Sequence, residues 1–255
     1  MRPDRERADP GLADRGLADR GLADHGLADR GLADRDGYLA QWSVLHGLTA
    51  RGLVRGWLTL TYRLARPLAL RRVAPNVLTL LGLLAALLAV PLAVVGGRWA
   101  LLAAVAVVLS GLLDNLDGAV AVLTNRVSAW GGVLDSVSDR LSDIAYVGAL
   151  LALGGVTGRG PALVWACAGA WAASALILLQ EYVRARATIA GMSDVGIVTV
   201  AERPSRVIVT AAFCLGAGVF PSAAAGWGAG GLVVAVLGGV TGSAQLLAVV
   251  RRRLR

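Results

Sequence analysis

Residues 112–143 read LLDNLDGAVAVLTNRVSAWGGVLDSVSDRLSD and place five aspartates between two strongly apolar runs. The five are Asp114, Asp117, Asp135, Asp139 and Asp143. An unpaired carboxylate is costly in apolar surroundings, so these side chains need partners. Residues three or four apart share one face of a helix, which groups the first two aspartates together and the next two together. The connection between the two apolar runs is short, so we expect neighbouring helices and convergence of these four carboxylates.

Four carboxylates at one end of a helical bundle repel one another, and a hard divalent cation is the simplest remedy. Ligands that offer only oxygen suit Mg²⁺, Mn²⁺ or Ca²⁺, and four carboxylates can hold two ions roughly 3.5–4 Å apart, as in phosphoryl transfer. Gly118, Gly131 and Gly132 leave space for a phosphate-bearing ligand near the backbone. The alternative is a hydrated set of acids paired with Arg126 and Arg140. Ionisable residues within membrane segments favour the functional interpretation, with Asp143 in a structural or supporting role.

The composition indicates a polytopic membrane protein. Hydrophobic residues make up 56% of the 255, and the mean hydropathy is +0.64. The usual soluble balance is about 45–50% apolar residues. The net charge of +8 comes from arginine without lysine, which suits anionic lipid or nucleic acid, and the apolar runs favour lipid over nucleic acid. Cys167 and Cys214 fall in apolar segments, which argues against a disulfide framework or a zinc site.

Apolar segments near the roughly 20 residues that cross a membrane predict an all-α fold with six transmembrane helices. The predicted spans are residues 77–95, 99–123, 133–154, 161–182, 205–220 and 228–250. Arginines are concentrated in the loops on one side of these spans, and the opposite loops hold only Arg98 and Arg159. The positive-inside rule therefore predicts a cell-membrane protein with both termini and the carboxylates on the cytoplasmic side.

The region before the first span divides into two parts. Residues 11–35 are five tandem units of the GLADR type, whose period fits neither helix nor strand, so residues 1–37 are predicted to be a disordered tail. Residues 38–73 mix large apolar side chains with arginines and predict an amphipathic juxtamembrane helix. The sequence allows two placements of this helix. It lies either in the membrane interface on anionic head groups or packed on the rest of the protein. Residues 74–255 form the predicted membrane domain.

The spacing of the opening stretch closely resembles the signature of the CDP-alcohol phosphatidyltransferases. That signature is DxxDGxxAR followed by GxxxDxxxD, and here it runs from Asp114 to Asp139. APNVLTLLGL at residues 74–83 resembles the PNxLT motif that begins the family's first span. YVRARA at residues 182–187 and ERPSR at residues 202–206 resemble the acceptor-side loop of actinobacterial phosphatidylinositol phosphate synthases.

The resemblance implies a role for each matching residue. Metal ligands for two divalent ions, Mg²⁺ or Mn²⁺, would be Asp114, Asp117, Asp135 and Asp139. Asp139 would also be the general base that takes the proton of the acceptor hydroxyl, and CMP would leave. Contacts with the CDP-lipid would come from Asn76, Thr79, Gly118 and Ser128. The predicted acceptor site is an anion pocket of Arg184, Arg186, Arg203 and Arg206, although the same arginines also serve as topology determinants.

The resulting hypothesis is an enzyme that transfers a phosphatidyl group from CDP-diacylglycerol to an alcohol, with release of CMP. Inositol phosphate is the leading acceptor and glycerol phosphate the alternative, and the resemblance implies a homodimer. Two departures weaken the match: Val122 stands where the family has arginine, and Leu246 stands where the inositol phosphate synthases have arginine. A degenerate, non-catalytic protein that binds CDP-lipids or cations is therefore the competing hypothesis.

Overall fold

The computed structural model describes residues 32–46, 52–155, 160–192 and 202–254, and these residues are almost entirely helical, with no strand among them. A 3₁₀ turn at Pro221–Ala223 precedes the last helix. The helices are α1 (Arg35–His46), α2 (Gly52–Leu70), α3 (Pro75–Val95), α4 (Trp99–Leu123), α5 (Ala129–Gly155), α6 (Pro161–Ile189), α7 (Arg203–Val219) and α8 (Ala224–Arg253). The all-α prediction is confirmed for this part of the chain.

Four helical segments are long and apolar enough to cross a membrane: α3, α4, α6 and the segment Pro221–Arg253 that contains α8. Five of the six predicted spans lie within a helix, and the span 205–220 extends one residue beyond the end of α7 at Val219. α5 and α7 do not meet the same measure of length and composition. The first half of α5 carries several of the charged residues, and α7 has only 17 residues. By length and composition, four helical segments are therefore candidate membrane spans, and the other two spans stay a prediction.

Small residues dominate the core between α3, α4, α5 and α7. This cluster includes Ala86, Ala89, Ala103, Val107, Ala149, Cys214 and Ala217. Small side chains let helix backbones approach closely, which is the usual basis of helix association in lipid. Two glycines allow a close approach of α5 and α8, where a Cβ atom built on Gly228 would lie 2.1 Å from the backbone nitrogen of Gly154.

The N-terminal region forms two helices where the sequence predicted one over residues 38–73. α1 ends at His46, and α2 begins at Gly52, whose φ of 53° lies in the left-handed region, which glycine adopts without a steric penalty. Residues 1–31 and 47–51 lie outside the described part of the chain. The predicted end of the tail at residue 37 falls inside α1. Asp34 caps this helix, because its Oδ1 accepts a hydrogen bond of 2.7 Å from the backbone N–H of Gly37.

Both N-terminal helices pack on the last turns of α4. Tyr38 of α1 and Tyr62 of α2 are buried in one cluster with Leu116, Val120 and Leu123 of α4. The two tyrosine rings lie 5.7 Å apart between centroids. The contact holds α1 and α2 against the end of α4 that carries the aspartates.

Candidate active site

The end of α4 is a tight turn that leads directly into α5. Asn125 adopts a φ of 51°, its N–H donates to the carbonyl of Val122 (3.2 Å), and the N–H of Arg126 donates to the carbonyl of Ala121 (2.9 Å). These two bonds form a Schellman motif, which satisfies carbonyls that the last turn of a helix would leave without partners. Asparagine tolerates the left-handed conformation that the motif requires better than most residues do.

The start of α5 is fixed by Ser128. Its Oγ accepts a hydrogen bond of 3.0 Å from the backbone N–H of Gly131, as expected of a helix N-cap. This cap sets the phase of the helix, so that Asp135 and Asp139, four residues apart, face α4 together. Ser128 was predicted from the sequence to contact a CDP-lipid, and it also has this structural role.

Three of the four predicted metal ligands converge. One carboxylate oxygen from each of Asp114, Asp135 and Asp139 lies within 4.8 Å of the other two. Asp117 lies outside this group, and its Oδ2 accepts a hydrogen bond of 2.5 Å from the Thr79 hydroxyl. An oxygen-only donor set of this kind fits a hard divalent cation such as Mg²⁺ or Mn²⁺.

A cavity of about 360 Å³ lies beside these carboxylates, within the size range of ligand pockets. Its lining contains all four residues predicted to contact a CDP-lipid, namely Asn76, Thr79, Gly118 and Ser128, together with Asp114, Asp117 and Asp135. A Cβ atom built on Gly118 would meet no other group within 4 Å, so the missing side chain leaves open space at the cavity wall. The motif residues Asp114, Asp117, Gly118, Gly131 and Asp135 thus line one cavity, and Asp139 adjoins it through the carboxylate group.

Two of the arginines predicted to bind the acceptor contact the aspartates directly. Arg203 contacts Asp139, and its guanidinium also lies 3.1 Å from Asp114. Arg206 forms an ion pair with Asp143, whose side chain is fully buried. The other two differ from this pair: Arg184 is paired with Glu202, and Arg186 is exposed. The predicted anion pocket is therefore divided between the carboxylate group and the last turns of α6.

Arg140 joins these ion pairs into a network. Its guanidinium lies 3.6 Å from Asp139, 3.6 Å from Asp143 and 3.2 Å from Glu181 of α6. The Asp143 carboxylate is fully buried, and a buried charge persists only when it is paired, because a lost partner leaves an uncompensated ion. Asp143 therefore has the supporting role that the sequence indicated, since it anchors Arg140 and Arg206 behind the carboxylates of the site.

One wall of the cavity was not predicted from the sequence. Tyr38 and Trp42 of α1, with Leu58 and Thr61 of α2, line it. These residues precede the first motif that resembles the family, at residues 74–83. Aromatic residues among arginines are also typical of a membrane interface, so the local pattern does not distinguish the two settings. Only the long-range packing of α1 on α4 reveals the difference.

Known proteins show the same combination of sequence and fold. The model of the CDP-alcohol phosphatidyltransferase family matches residues 72–241. The archaetidylinositol phosphate synthase of Pyrococcus horikoshii is 35% identical over 151 residues, which cover 58% of this chain and 72% of that protein. The phosphatidylinositol phosphate synthase of Cutibacterium acnes is 34% identical over 152 residues, with 58% of this chain and 70% of that protein covered.

Solved structures of one such synthase are also similar to this chain in fold. The Mycobacterium tuberculosis phosphatidylinositol phosphate synthase with CDP-DAG bound superposes with a TM-score of 0.60 at 26% identity, over 74% of this chain and 92% of that one. The same enzyme in complex with manganese and citrate gives a TM-score of 0.61 at 27% identity, over 74% and 88%.

Proposed function

The chain belongs to the CDP-alcohol phosphatidyltransferase family, and from that premise we propose that it transfers the phosphatidyl group of CDP-diacylglycerol to inositol phosphate and releases CMP. The observation that carries this proposal is the convergence of Asp114, Asp135 and Asp139 beside a cavity of ligand size. The acceptor is supported by the names of the relatives, which are synthases of phosphatidylinositol phosphate and archaetidylinositol phosphate.

The proposed cofactor is a pair of Mg²⁺ or Mn²⁺ ions. Asp114, Asp135 and Asp139 would hold them together with Asp117, which lines the same cavity. Bound there, the ions would supply positive charge that offsets the charge of the lipid diphosphate and of the departing CMP. Manganese in the solved structure of a relative supports this choice of ion. The hydrogen bond from Thr79 holds the Asp117 carboxylate in one orientation.

Substrate binding and proton transfer would be carried out by different side chains. Asn76, Thr79, Gly118 and Ser128 would bind the CDP portion of the lipid, because they line the cavity beside the carboxylates. Asp139 would accept the proton of the acceptor hydroxyl while the hydroxyl oxygen bonds to the phosphorus of the phosphatidyl group. The bond from this phosphorus to the bridging oxygen of the diphosphate breaks, and its electron pair leaves with CMP.

Arg184, Arg186, Arg203 and Arg206 are the proposed site for the phosphate of the acceptor. A guanidinium group matches phosphate through two parallel hydrogen bonds. Arg203 contacts the proposed base, so a phosphate that it binds lies close to Asp139. A role in topology alone does not require arginines to contact buried carboxylates, and Arg203 and Arg206 both do so.

We further propose six membrane spans, with both termini and the site on the cytoplasmic side of the cell membrane. α5 has 27 residues, about 40 Å of helix, and α7 has 17, which is at the lower limit for a span. The proposed domain limits are a tail at 1–37, of which residues 35–37 belong to α1, a juxtamembrane region at 38–73 and a membrane domain at 74–255. α2 would lie in the interface on anionic lipid, because Trp57 and Leu60 are exposed among its arginines. A homodimer is proposed from the family resemblance.

The test is an assay of CMP release by the purified full-length protein with CDP-diacylglycerol and Mn²⁺ or Mg²⁺. A panel of inositol phosphate, glycerol phosphate and free inositol is offered as acceptors, and the lipid product is identified by mass. We expect release with inositol phosphate, its loss on chelation, and its recovery when the ion is returned. Asp139→Asn should reduce turnover by about a hundredfold or more, since general-base catalysis contributes 10²–10⁴-fold.

Asp36→Asn is the matched control, because the Asp36 side chain is exposed and does not line the cavity. It should retain the wild-type rate. Release of CMP with glycerol phosphate alone would identify glycerol phosphate as the acceptor and leave the proposed reaction type unchanged. A wild-type protein that releases no CMP with any acceptor would support the non-catalytic alternative.

A further inference from the structure

Helix α1 lies outside the region that matches the family, which begins at residue 72, yet it contributes to the cavity beside the carboxylates. Tyr38 and Trp42 are one helical turn apart and both line this cavity. The helix is held in place by the burial of Tyr38 and Leu39 against the last turns of α4. α1 is therefore a fixed wall of the site.

The position of this wall along α4 identifies the part of the substrate that it faces. α1 packs near Leu116, Val120 and Leu123, which belong to the second half of α4, whereas the opposite end of that helix begins at Trp99. Acyl chains occupy the hydrocarbon core between these two ends. A wall at the end with the aspartates therefore meets the water-soluble portion of a CDP-lipid, which consists of phosphates, ribose and base.

The residue types of this wall indicate which portion of the CDP-lipid, phosphate, ribose or base, would bind there. The carboxylates that would hold ions on the diphosphate come from α4 and α5, whereas the lining residues of α1 and α2 carry no charge. An uncharged aromatic surface is unsuited to phosphate and well suited to a planar base, which stacks on an indole ring. Burial raises the pKa of Tyr38 to about 12, so its hydroxyl stays protonated and available as a hydrogen-bond donor.

We propose that α1 forms the base-binding wall of the active site, with the indole of Trp42 stacking on the cytosine ring of the CDP-lipid. The inference rests on the proposed function, because it assigns a residue to that substrate. It makes Trp42 a binding residue for the nucleotide, with no part in proton transfer and no contact with the acceptor.

The test compares Trp42→Phe with Trp42→Leu in the full-length protein. Both replacements are apolar, and only phenylalanine can stack. The measured quantities are the KM for CDP-diacylglycerol, the inhibition constant of free CMP, the KM for inositol phosphate and kcat. Trp165→Leu is the control, because Trp165 is 76% exposed on α6 and does not line the cavity.

We expect Trp42→Leu to raise both the KM for CDP-diacylglycerol and the inhibition constant of CMP roughly tenfold, the effect of losing one base–aromatic stack. Trp42→Phe should stay within about threefold of wild type, because stacking persists. The kcat and the KM for inositol phosphate should change little in either variant. CMP has no acyl chains, so its inhibition constant reports contact with the nucleotide alone.

Equal inhibition constants for CMP in wild type and Trp42→Leu would overturn the inference. The proposed function would still stand in that case if the wild-type protein releases CMP from CDP-diacylglycerol. Equal losses in the Phe and Leu variants would overturn the inference too, because they would indicate a role in packing and not in stacking. A wild-type protein that neither binds CMP nor releases it from CDP-diacylglycerol would overturn the proposed function and this inference together.

Discussion

Val122 stands where the family signature has an arginine, and Arg126, four residues later in the sequence, lines the same cavity. Val122 is nearly buried and carries no charge. Arg126 is exposed, and the turn at Asn125 fixes its backbone beside the last turn of α4. A cation is therefore available at this wall of the cavity, supplied from beyond the end of the helix.

We expect Arg126→Ala to raise the KM for CDP-diacylglycerol by roughly ten- to a hundredfold, because a hydrogen bond to a charged group is worth about 1.5–3 kcal/mol. Val122→Arg in the Arg126→Ala background should recover part of this loss. Arg98→Ala, at the opposite end of α4, is the control and should leave the KM unchanged. The KM is measured by CMP release at a saturating acceptor concentration.

Two results would contradict this role of Arg126. One is an unchanged KM in the Arg126→Ala variant. The other is a large gain in turnover from Val122→Arg alone, which would indicate that no cation compensates and that the wild-type enzyme has lost activity.

Helical spacing predicted which carboxylates of the site come together. It did not predict contacts with residues that are distant in the sequence. Asp114, Asp135 and Asp139 converge as their spacing indicated. Asp117 instead bonds to Thr79, which lies 38 residues earlier on α3. The contact of Arg203 with Asp139 likewise depends on how α7 packs against α4 and α5. Local periodicity carries no information about such contacts.

The apolar runs predicted the ends of helices α3 to α8 to within about four residues, because a segment in lipid must satisfy its backbone hydrogen bonds internally. The exception is the end of α6, which runs to Ile189 where the prediction ended at residue 182. The prediction was weakest before the first span. Local pattern shows that residues 38–73 are amphipathic, but it does not show that Tyr38 packs on Tyr62 and on α4. The two-helix arrangement depends on this packing.

The contact between α5 and α8 can be tested by adding a methyl group at the interface. Gly228→Ala should lower the free energy of unfolding by about 1–3 kcal/mol, because the added methyl would overlap the backbone of Gly154. Gly238→Ala on the same helix is the matched control. Its Cβ would meet nothing within 4 Å, so the variant should be as stable as wild type or up to about 1 kcal/mol more stable.

Unfolding of both variants is measured thermally in one detergent. Equal stability of the Gly228 and Gly238 variants would show that α5 and α8 do not approach as closely as described.

For the whole molecule, charge and helix direction point to the same topology. α4 runs from Trp99 to the aspartates, and the contact of Gly154 with Gly228 lies at the far end of α5 from Asp135. α8 therefore ends, with Arg251–Arg253, on the side of the carboxylates. The excess of arginine on this side is the signal of a cytoplasmic face. The geometry of the bundle places these arginines at the same end as the carboxylates, which supports the proposed cytoplasmic orientation of the site.

The last prediction tests this topology in a Cys167→Ser, Cys214→Ser background with one new cysteine per variant. A membrane-impermeant maleimide should label Arg98→Cys in intact cells, because Arg98 lies in the exposed loop between α3 and α4. Leu254→Cys, which follows α8, should be labelled only after the membrane is opened. The cysteine-free background is the control for unspecific labelling. The reverse pattern would place Asp114 and Asp139 outside the cell and contradict the proposed orientation of the site.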